Sequence, residues 1–408
     1  MGRISIKTGF SQNKNGEEAV KEVFEKIRQD NMKLLIFFVD SGYDQQKINN
    51  AWKRLIPPET PFLGCSSLKP TVPILKNIYR LESNLSSEGF KIGLTAMSIS
   101  SDKIEAKIGL MKNIKSGWEK ESSRALSETA KGLGLNLQQA DPEKYFGILM
   151  CDAVSGVETN ILENLYAMSG LIFIGGGSSG KLGISNIIRG NLGSPGHIHN
   201  AEGVFSDAAI IALIKCDIPF ILDMVTDFVP TDRKFKITKA EKGKHNLWYI
   251  HELDGKPAAE EYCKAVGVSK KDLGNERIPN LKITTFHPLG LLIKDRAFIR
   301  GLGGRKGDSL IMMFPIKEGQ ELYLMELTDI IKAIDSKNAE FKNALGFISG
   351  MILFFCSCQL YKADKTLVGR EKLFEKINVA PLVGLNAYGQ YYGWFVMEES
   401  FVMLAFGE

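Results

Sequence analysis

The stretch Gly175-Gly176-Gly177-Ser178-Ser179-Gly180-Lys181 collects the small and hydroxyl-bearing side chains with which a backbone approaches an anion or a small ligand. It follows the apolar run Leu171 to Ile174, so it reads as a turn at the end of a buried strand. Gly175, Gly177 and Gly180 satisfy G-x-G-x-x-G, and Gly175 to Lys181 satisfies most of a P-loop. The context speaks against both. A P-loop needs Ser or Thr after its lysine to reach a metal ion, and this chain has Leu182. Both motifs need a helix opening at the last glycine to hold phosphate. The residues that follow, Leu182 to Gly190, read instead as a strand between turns. A tight connection between two buried strands is the plainer reading. If the turn does line a pocket, Gly176→Val should abolish binding and leave cooperative unfolding intact.

Other residues carry weaker signals. Cys356 and Cys358 could be two metal ligands, but zinc wants four and no second such pair or nearby histidine pair supplies the rest. On a strand they would share one face, as small core residues or as a thiol pair. Reversible oxidation would require exposure and a stabilised thiolate. All six cysteines mostly lie in or beside apolar runs, as buried thiols do, rather than in a disulfide framework. Of the five histidines, His197 and His199 lie in a turn and read as solvated, His245 and His251 flank an apolar run, and His287 precedes a proline. A haem ligand needs one imidazole in an apolar pocket, and the spacing selects none of them. Ser178 and Ser179 lack a partner base and form no G-x-S-x-G. Asp152, Asp207 and Asp254 read as solvated carboxylates at strand ends or turns. Arg300 could fork onto an anionic ligand or make a surface ion pair. Tyr391, Tyr392 and Trp394 could line a pocket or pack in the core.

The elements that would position these residues recur. Leu34 to Val39, then a helix from Tyr43 to Leu55, then Pro61 to Gly64 make a strand–helix–strand unit. Tyr145 to Met150, Val157 to Met168 and Leu171 to Ile174 make a second. Met351 to Phe355, Arg370 to Ile377 and Ala380 to Val383 make a third. Each spans about thirty residues up to a glycine (Gly64, Gly175, Gly384), the size of a β-α-β crossover. The side chains repeat weakly, which makes this a pseudo-repeat. Antiparallel strands are expected between the units. The charged stretch 267–280 reads as a linker between domains at 1–270 and 281–408. The expected class is α/β, with two related halves of mixed sheet and flanking helices.

The 408 residues carry 51 Lys and Arg against 47 Asp and Glu, a balance that does not argue for nucleic acid or an anionic membrane surface. No apolar run is long enough for a membrane span, and the first residues do not form a signal peptide. A cytoplasmic protein is the simplest expectation.

The order of short segments resembles the FIST domain family. Its N-terminal part is matched by Leu34 to Val39, Ser41-Gly42-Tyr43-Asp44, Gly64-Cys65-Ser66-Ser67, Ile174-Gly175-Gly176-Gly177, Val204 to Ala208 and Leu253 to Ala258. Its C-terminal part is matched by His287-Pro288-Leu289, Phe298-Ile299-Arg300, Ile316 to Gly319, Phe354 to Cys358 and Pro381 to Gly384. The resemblance implies a cytoplasmic sensory module that binds a small molecule such as an amino acid and acts on a signalling partner supplied in trans. It also brings in haem, because some members look like haem-binding nitric-oxide sensors. The residues themselves assign no cofactor and leave the oligomeric state open. The expected ligand-lining residues are Cys65, Ser66, Gly175, Gly176, Gly177, Ser178, Arg300, Cys356, Cys358 and Gln390. The chain departs from the family pattern at Leu68-Lys69-Pro70, Cys358-Gln359, Gly389-Gln390 and Met397-Glu398-Glu399-Ser400. A changed or lost ligand would follow. An enzyme holding an anionic substrate at 175–181 is the alternative from another class.

Overall fold

A computed structural model describes residues 4–67, 70–71, 93–180, 194–243, 247–275 and 280–408. The strand expected at 182–190 lies outside these residues, as do Lys181, His245 and Leu68-Lys69.

All three strand–helix–strand units form, and in each the two strands are parallel. The first pairs Met32–Asp40 with Phe62–Ser67 across the helix Gln45–Leu55. The second pairs Tyr145–Asp152 with Phe173–Ser178 across Glu158–Ser169. The third pairs Gly350–Phe355 with Leu382–Asn386, and two helices, Ser357–Lys365 and Arg370–Ile377, lie between them. Local chemistry sets the helix ends. The Asp44 side chain accepts the Lys47 N–H at the start of the first-unit helix. Gly170, at φ +67°, closes the second-unit helix in the left-handed conformation that favours glycine.

The weak sequence repeat becomes a strict repeat of register. Gly64 lies opposite Phe37, Gly175 opposite Leu149 and Gly384 opposite Leu353. Three residues past each of those partners stand Asp40, Asp152 and Cys356, which therefore hold the same place in the three units.

Each parallel pair is widened by antiparallel strands. The first sheet has the order Ser5–Ser11, Leu94–Ser100, Met32–Asp40, Phe62–Ser67, Ile198–His199, Val204–Phe205. The second runs Phe395–Met397, Gln390–Tyr392, Phe173–Ser178, Tyr145–Asp152, Ala208–Cys216, Ile104–Lys112. The third runs Phe220–Val225, Phe401–Phe406, Gly350–Phe355, Leu382–Asn386, Pro70–Thr71. A fourth, antiparallel sheet is built on the long strand Phe228–Lys242 and includes Trp248–Leu253, Arg296–Arg300 and Glu321–Leu327. The runs on either side of Ser101-Asp102 enter different sheets. The second and third sheets each combine strands from both ends of the chain. Within the charged stretch 267–280, Leu273 is fully buried and its carbonyl accepts the Asn280 N–H.

Alternation along the strands decides the layers. Leu34, Ile36 and Phe38 of the first sheet, Phe146, Ile148 and Met150 of the second, and Ile352 and Phe354 of the third share one central core. The intervening residues face outward onto helices. Leu35, Phe37 and Val39 pack with Ala19, Val23 and Trp52. Leu149 and Cys151 pack with Ile161 and Leu165. Met351, Leu353 and Phe355 pack with Ile334 and Phe374. The molecule is thus α/β, three helix-backed sheets around one shared core. Among the described residues, no helix is long and apolar enough to cross a membrane.

Candidate functional site

In open α/β sheets, ligands bind outside the carboxyl ends of parallel strands. Here those ends from all three units meet. The Ser66 and Ser178 hydroxyls lie 3.2 Å apart. Ser66 Oγ donates to Ser179 O at 2.8 Å and accepts the His197 N–H at 2.9 Å, while Ser178 Oγ donates to Ser66 O at 2.9 Å. Ser67 Oγ donates to Asn386 O at 3.0 Å, which ties the first unit to the third. Gly177 N donates to Gly389 O and Tyr388 N donates to Gly177 O, both at 3.1 Å, which ties the second unit to the C-terminal segment. Gln390 lies opposite Gly176, fully buried; its amide donates to Ala387 O at 3.2 Å and accepts the Ser400 hydroxyl at 3.3 Å.

The structure brings these strand ends together and gives several of the residues expected to line a ligand a packing task. A Cβ on Gly175 would stand 1.8 Å from the Leu149 carbonyl oxygen, one on Gly177 2.1 Å from Tyr388 O, and one on Gly176 2.4 Å from Ala387 Cβ. These glycines permit close packing of chain on chain, so Gly176→Val would disturb the junction itself and not a ligand alone. Cys65 is fully buried, and burial pushes its thiol far above the ordinary range. Asp152 is not solvated: it is fully buried and accepts the N–H groups of Val154, Gly196 and Asp207, two of them at 2.9 Å. The histidine pair is not a solvated turn either. His199 lies on a strand paired with Gly64, is fully buried and contacts Gln45 Oε1 at 3.0 Å. Burial drives its pKa down to about 3.

On the third unit, Cys356 ends the strand and caps the next helix, so the strand geometry expected for Cys356 and Cys358 does not apply. Cys356 Sγ accepts the Cys358 N–H at 3.5 Å. The Cys358 thiol, and backbone N–H groups of Cys358 and Glu399, stabilise the thiolate and bring Cys356 down to about 6 against the opposing cost of burial. Facing it, Glu398 is raised to about 8, by burial first and by Cys356 second. Glu398 Oε2 accepts the Gly301 N–H, and Glu398 lies near Arg300. Arg300 is itself buried and donates to Val396 O at 2.7 Å, so it is no surface ion pair. Behind Cys358, the buried Lys362 ammonium meets Asp227 at 2.6 Å and Glu399 at 3.6 Å. The family departures at Cys358-Gln359 and Glu398-Glu399 thus gather at one locus. Lys362 and Asp227 were missed by motif reading because one lies on a helix and the other in the short connection before the long strand Phe228–Lys242, far apart in sequence.

Glu158, the first residue of the second-unit helix, was missed as well. It is only 4% exposed, and its Oε2 has no hydrogen-bond partner. Burial raises its pKa to about 7, opposed by the backbone amides at the helix start. Glu158 lines a cleft of about 350 Å³ walled by Trp248, Met313, Phe314 and Pro315, with Glu163, Lys242 and Lys317 also along its lining. This cleft adjoins the glycine junction: a Cβ on Gly389 would lie 2.9 Å from the Phe314 ring, and the Tyr388 ring lies tilted against Phe314 with centroids 6.1 Å apart.

Haem finds no described partner in the clefts. That cleft and the two others described, one beside Lys362 and one beside Arg370, are lined by no histidine. His251 instead meets Ser309 and Glu241 on the fourth sheet, and His287 is exposed. Among the described residues, no cluster of three or more His, Cys, Asp or Glu is placed to hold a metal ion.

No curated protein matches the chain. The family model for the FIST N domain matches residues 33–256, from the first parallel strand to the turn at Asp254-Gly255-Lys256. That match covers more than half of the sequence and spans the first two units from residue 33 onward, and the chain therefore belongs to the FIST family.

Proposed function

We propose that this chain is a small-molecule sensor that binds its ligand in the Glu158 cleft and signals to a protein partner in trans. Membership in the FIST family is consistent with a sensory, signal-transducing role. The observation that carries the reading is Glu158: a carboxylate oxygen buried without a partner, on the wall of a cleft large enough for a metabolite. Leaving such a group unpaired costs about 1–3 kcal/mol, which a ligand that donates a hydrogen bond would recover. An amino acid matches the lining. Its ammonium would meet Glu158, its side chain Trp248 and Phe314, and its carboxylate Lys242 or Lys317. The link from Gly389 and Tyr388 to Gly177 gives an occupied cleft a route to the junction of the three units. A thermal-shift screen of the twenty amino acids tests this. At least one should raise the midpoint of the wild type by several degrees and leave Glu158→Gln unmoved; equal shifts in both proteins would overturn the assignment.

The same residue predicts a pH dependence. Its folded pKa, about 7, lies above the 4.5 of a free glutamate, so the folded state holds the proton more tightly. Its favourable contribution is complete below about 4.5 and is lost as pH rises through about 7. The full span is about 3 kcal/mol. In urea unfolding, Glu158→Gln should be more stable than wild type at pH 8 by up to that amount, with the difference shrinking towards pH 5.

A further inference from the structure

The three units place Asp40, Asp152 and Cys356 at one position of the register. They also share one interaction. Asp40 Oδ1 accepts the Gly42 N–H at 2.7 Å, Asp152 Oδ1 accepts the Val154 N–H at 3.3 Å, and Cys356 Sγ accepts the Cys358 N–H at 3.5 Å. In each case the acceptor is two residues before the donor. The backbone at this position is shaped to hold an anion, and in the third unit the group it holds is sulfur. The nine-residue helix Ser357–Lys365 starts there and adds its N-terminal dipole. Cys356 and Cys358 are the half-buried cysteines; Cys65, Cys151, Cys216 and Cys263 are buried.

We propose that Cys356 and Cys358 are an oxidisable dithiol in which a peroxide converts the Cys356 thiolate to a sulfenic acid and Cys358 closes it to an intramolecular disulfide. The inference stands on the thiols and is independent of the ligand reading of the Glu158 cleft. In the first step, Cys356 sulfur attacks one peroxide oxygen, the O–O bond breaks, and the other oxygen leaves as hydroxide and takes up a proton. In the second, Cys358 sulfur attacks Cys356 sulfur, the S–O bond breaks, the Cys358 proton joins the departing oxygen, and water leaves. Two thiols lose two electrons, and one peroxide becomes two waters. Cα atoms two residues apart lie roughly 5–7 Å from each other, which overlaps the ~4.4–6.8 Å that a disulfide spans.

The groups facing Cys356 suit this chemistry. Cys358 and Lys362 come from its own helix, Glu398 and Glu399 from the segment after the Phe395–Met397 strand, and Tyr388 from the turn before Gln390. Burial raises Glu398 to about 8, so at pH 7 it holds its proton beside the thiolate instead of repelling it, and burial raises Glu399 as well, against the opposing pull of Lys362. Burial keeps Tyr388 neutral as well. Lys362 is the cation of the group.

The test treats the full chain with one equivalent of hydrogen peroxide at pH 7, alkylates it with N-ethylmaleimide after unfolding, and maps tryptic peptides. One peptide, residues 343–362, contains both cysteines and no other. It should become two hydrogens lighter and refuse alkylation until dithiothreitol is added, while the four buried cysteines still alkylate. In Cys358→Ser, dimedone should trap Cys356 after peroxide; in Cys356→Ser, neither trapping nor a disulfide should appear. With iodoacetamide on the native protein at pH 6.5, Cys356 should react at least roughly tenfold faster than Cys358. A peptide that stays fully alkylatable after peroxide overturns the proposal. So does a disulfide linking two chains, or Cys358 reacting as fast as Cys356. The wild-type map decides the matter even if a serine variant does not fold.

Discussion

Gly175→Val is expected to destabilise the protein by more than about 4 kcal/mol, enough to leave little folded chain. The missing Cβ would stand 1.8 Å from Leu149 O and 2.8 Å from Leu149 C. Both atoms belong to the central strand of the second sheet, so no side chain can rotate away to make room. The pairing on both sides of Gly175, with Leu149 and with Tyr391, would have to shift together. Gly170→Ala provides the contrast. Its Cβ would meet nothing within 4 Å, and only the left-handed backbone at φ +67° resists the change, which costs roughly 1–2 kcal/mol. Urea unfolding of the two variants should separate them clearly. Similar losses would mean that the parallel pair can spread more readily than its register indicates.

Lys362→Met should cost about 3–5 kcal/mol. Lys362, Asp227 and Glu399 have side chains only 4%, 2% and 4% exposed. The ammonium also sits 4.1 Å from the centre of the Phe228 ring. Removing it leaves Asp227 with the Gln359 amide at 3.3 Å as its remaining side-chain donor. An uncompensated buried charge is far more costly than a missing pair. The double variant Lys362→Met/Asp227→Leu should therefore recover most of the loss. A loss below about 1 kcal/mol in Lys362→Met would show that water enters from the adjoining cleft, about 290 Å³ in volume, and takes the place of the ammonium.

The architecture was legible where periodicity and punctuation agreed. Gly64, Gly175 and Gly384 mark the same register position, and at Gly64 and Gly175 a Cβ would collide with the neighbouring strand; Pro57-Pro58 marks the end of the first-unit helix. The helix Ser357–Lys365 was not legible. Its residues, Ser-Cys-Gln-Leu-Tyr-Lys-Ala-Asp-Lys, carry a weak apolar stripe, and a sulfur caps it where Ser or Asp would announce it. The long helix Ile114–Gly132 was also unannounced, since its cap Asn113 is left-handed and makes no side-chain cap bond. At the site, the glycine turn was found because unusual composition is local. Glu158 was not, because a glutamate at the first position of a helix is ordinary in sequence. Only the fold brings it beside Trp248 and Phe314 along one cleft and leaves its Oε2 buried without a partner. Glu398 and Glu399 were visible as departures from the family pattern, but their meeting with Cys356 depends on the segment between the strands Phe395–Met397 and Phe401–Phe406 reaching the end of Gly350–Phe355.

Native mass spectrometry of wild type and Glu158→Gln, purified side by side from the same cells, tests the central claim most directly. A small-molecule sensor that uses Glu158 predicts an added metabolite mass on the wild type that is absent from the variant. No added mass on the wild type, the same mass on both proteins, or an added mass equal to haem would contradict it.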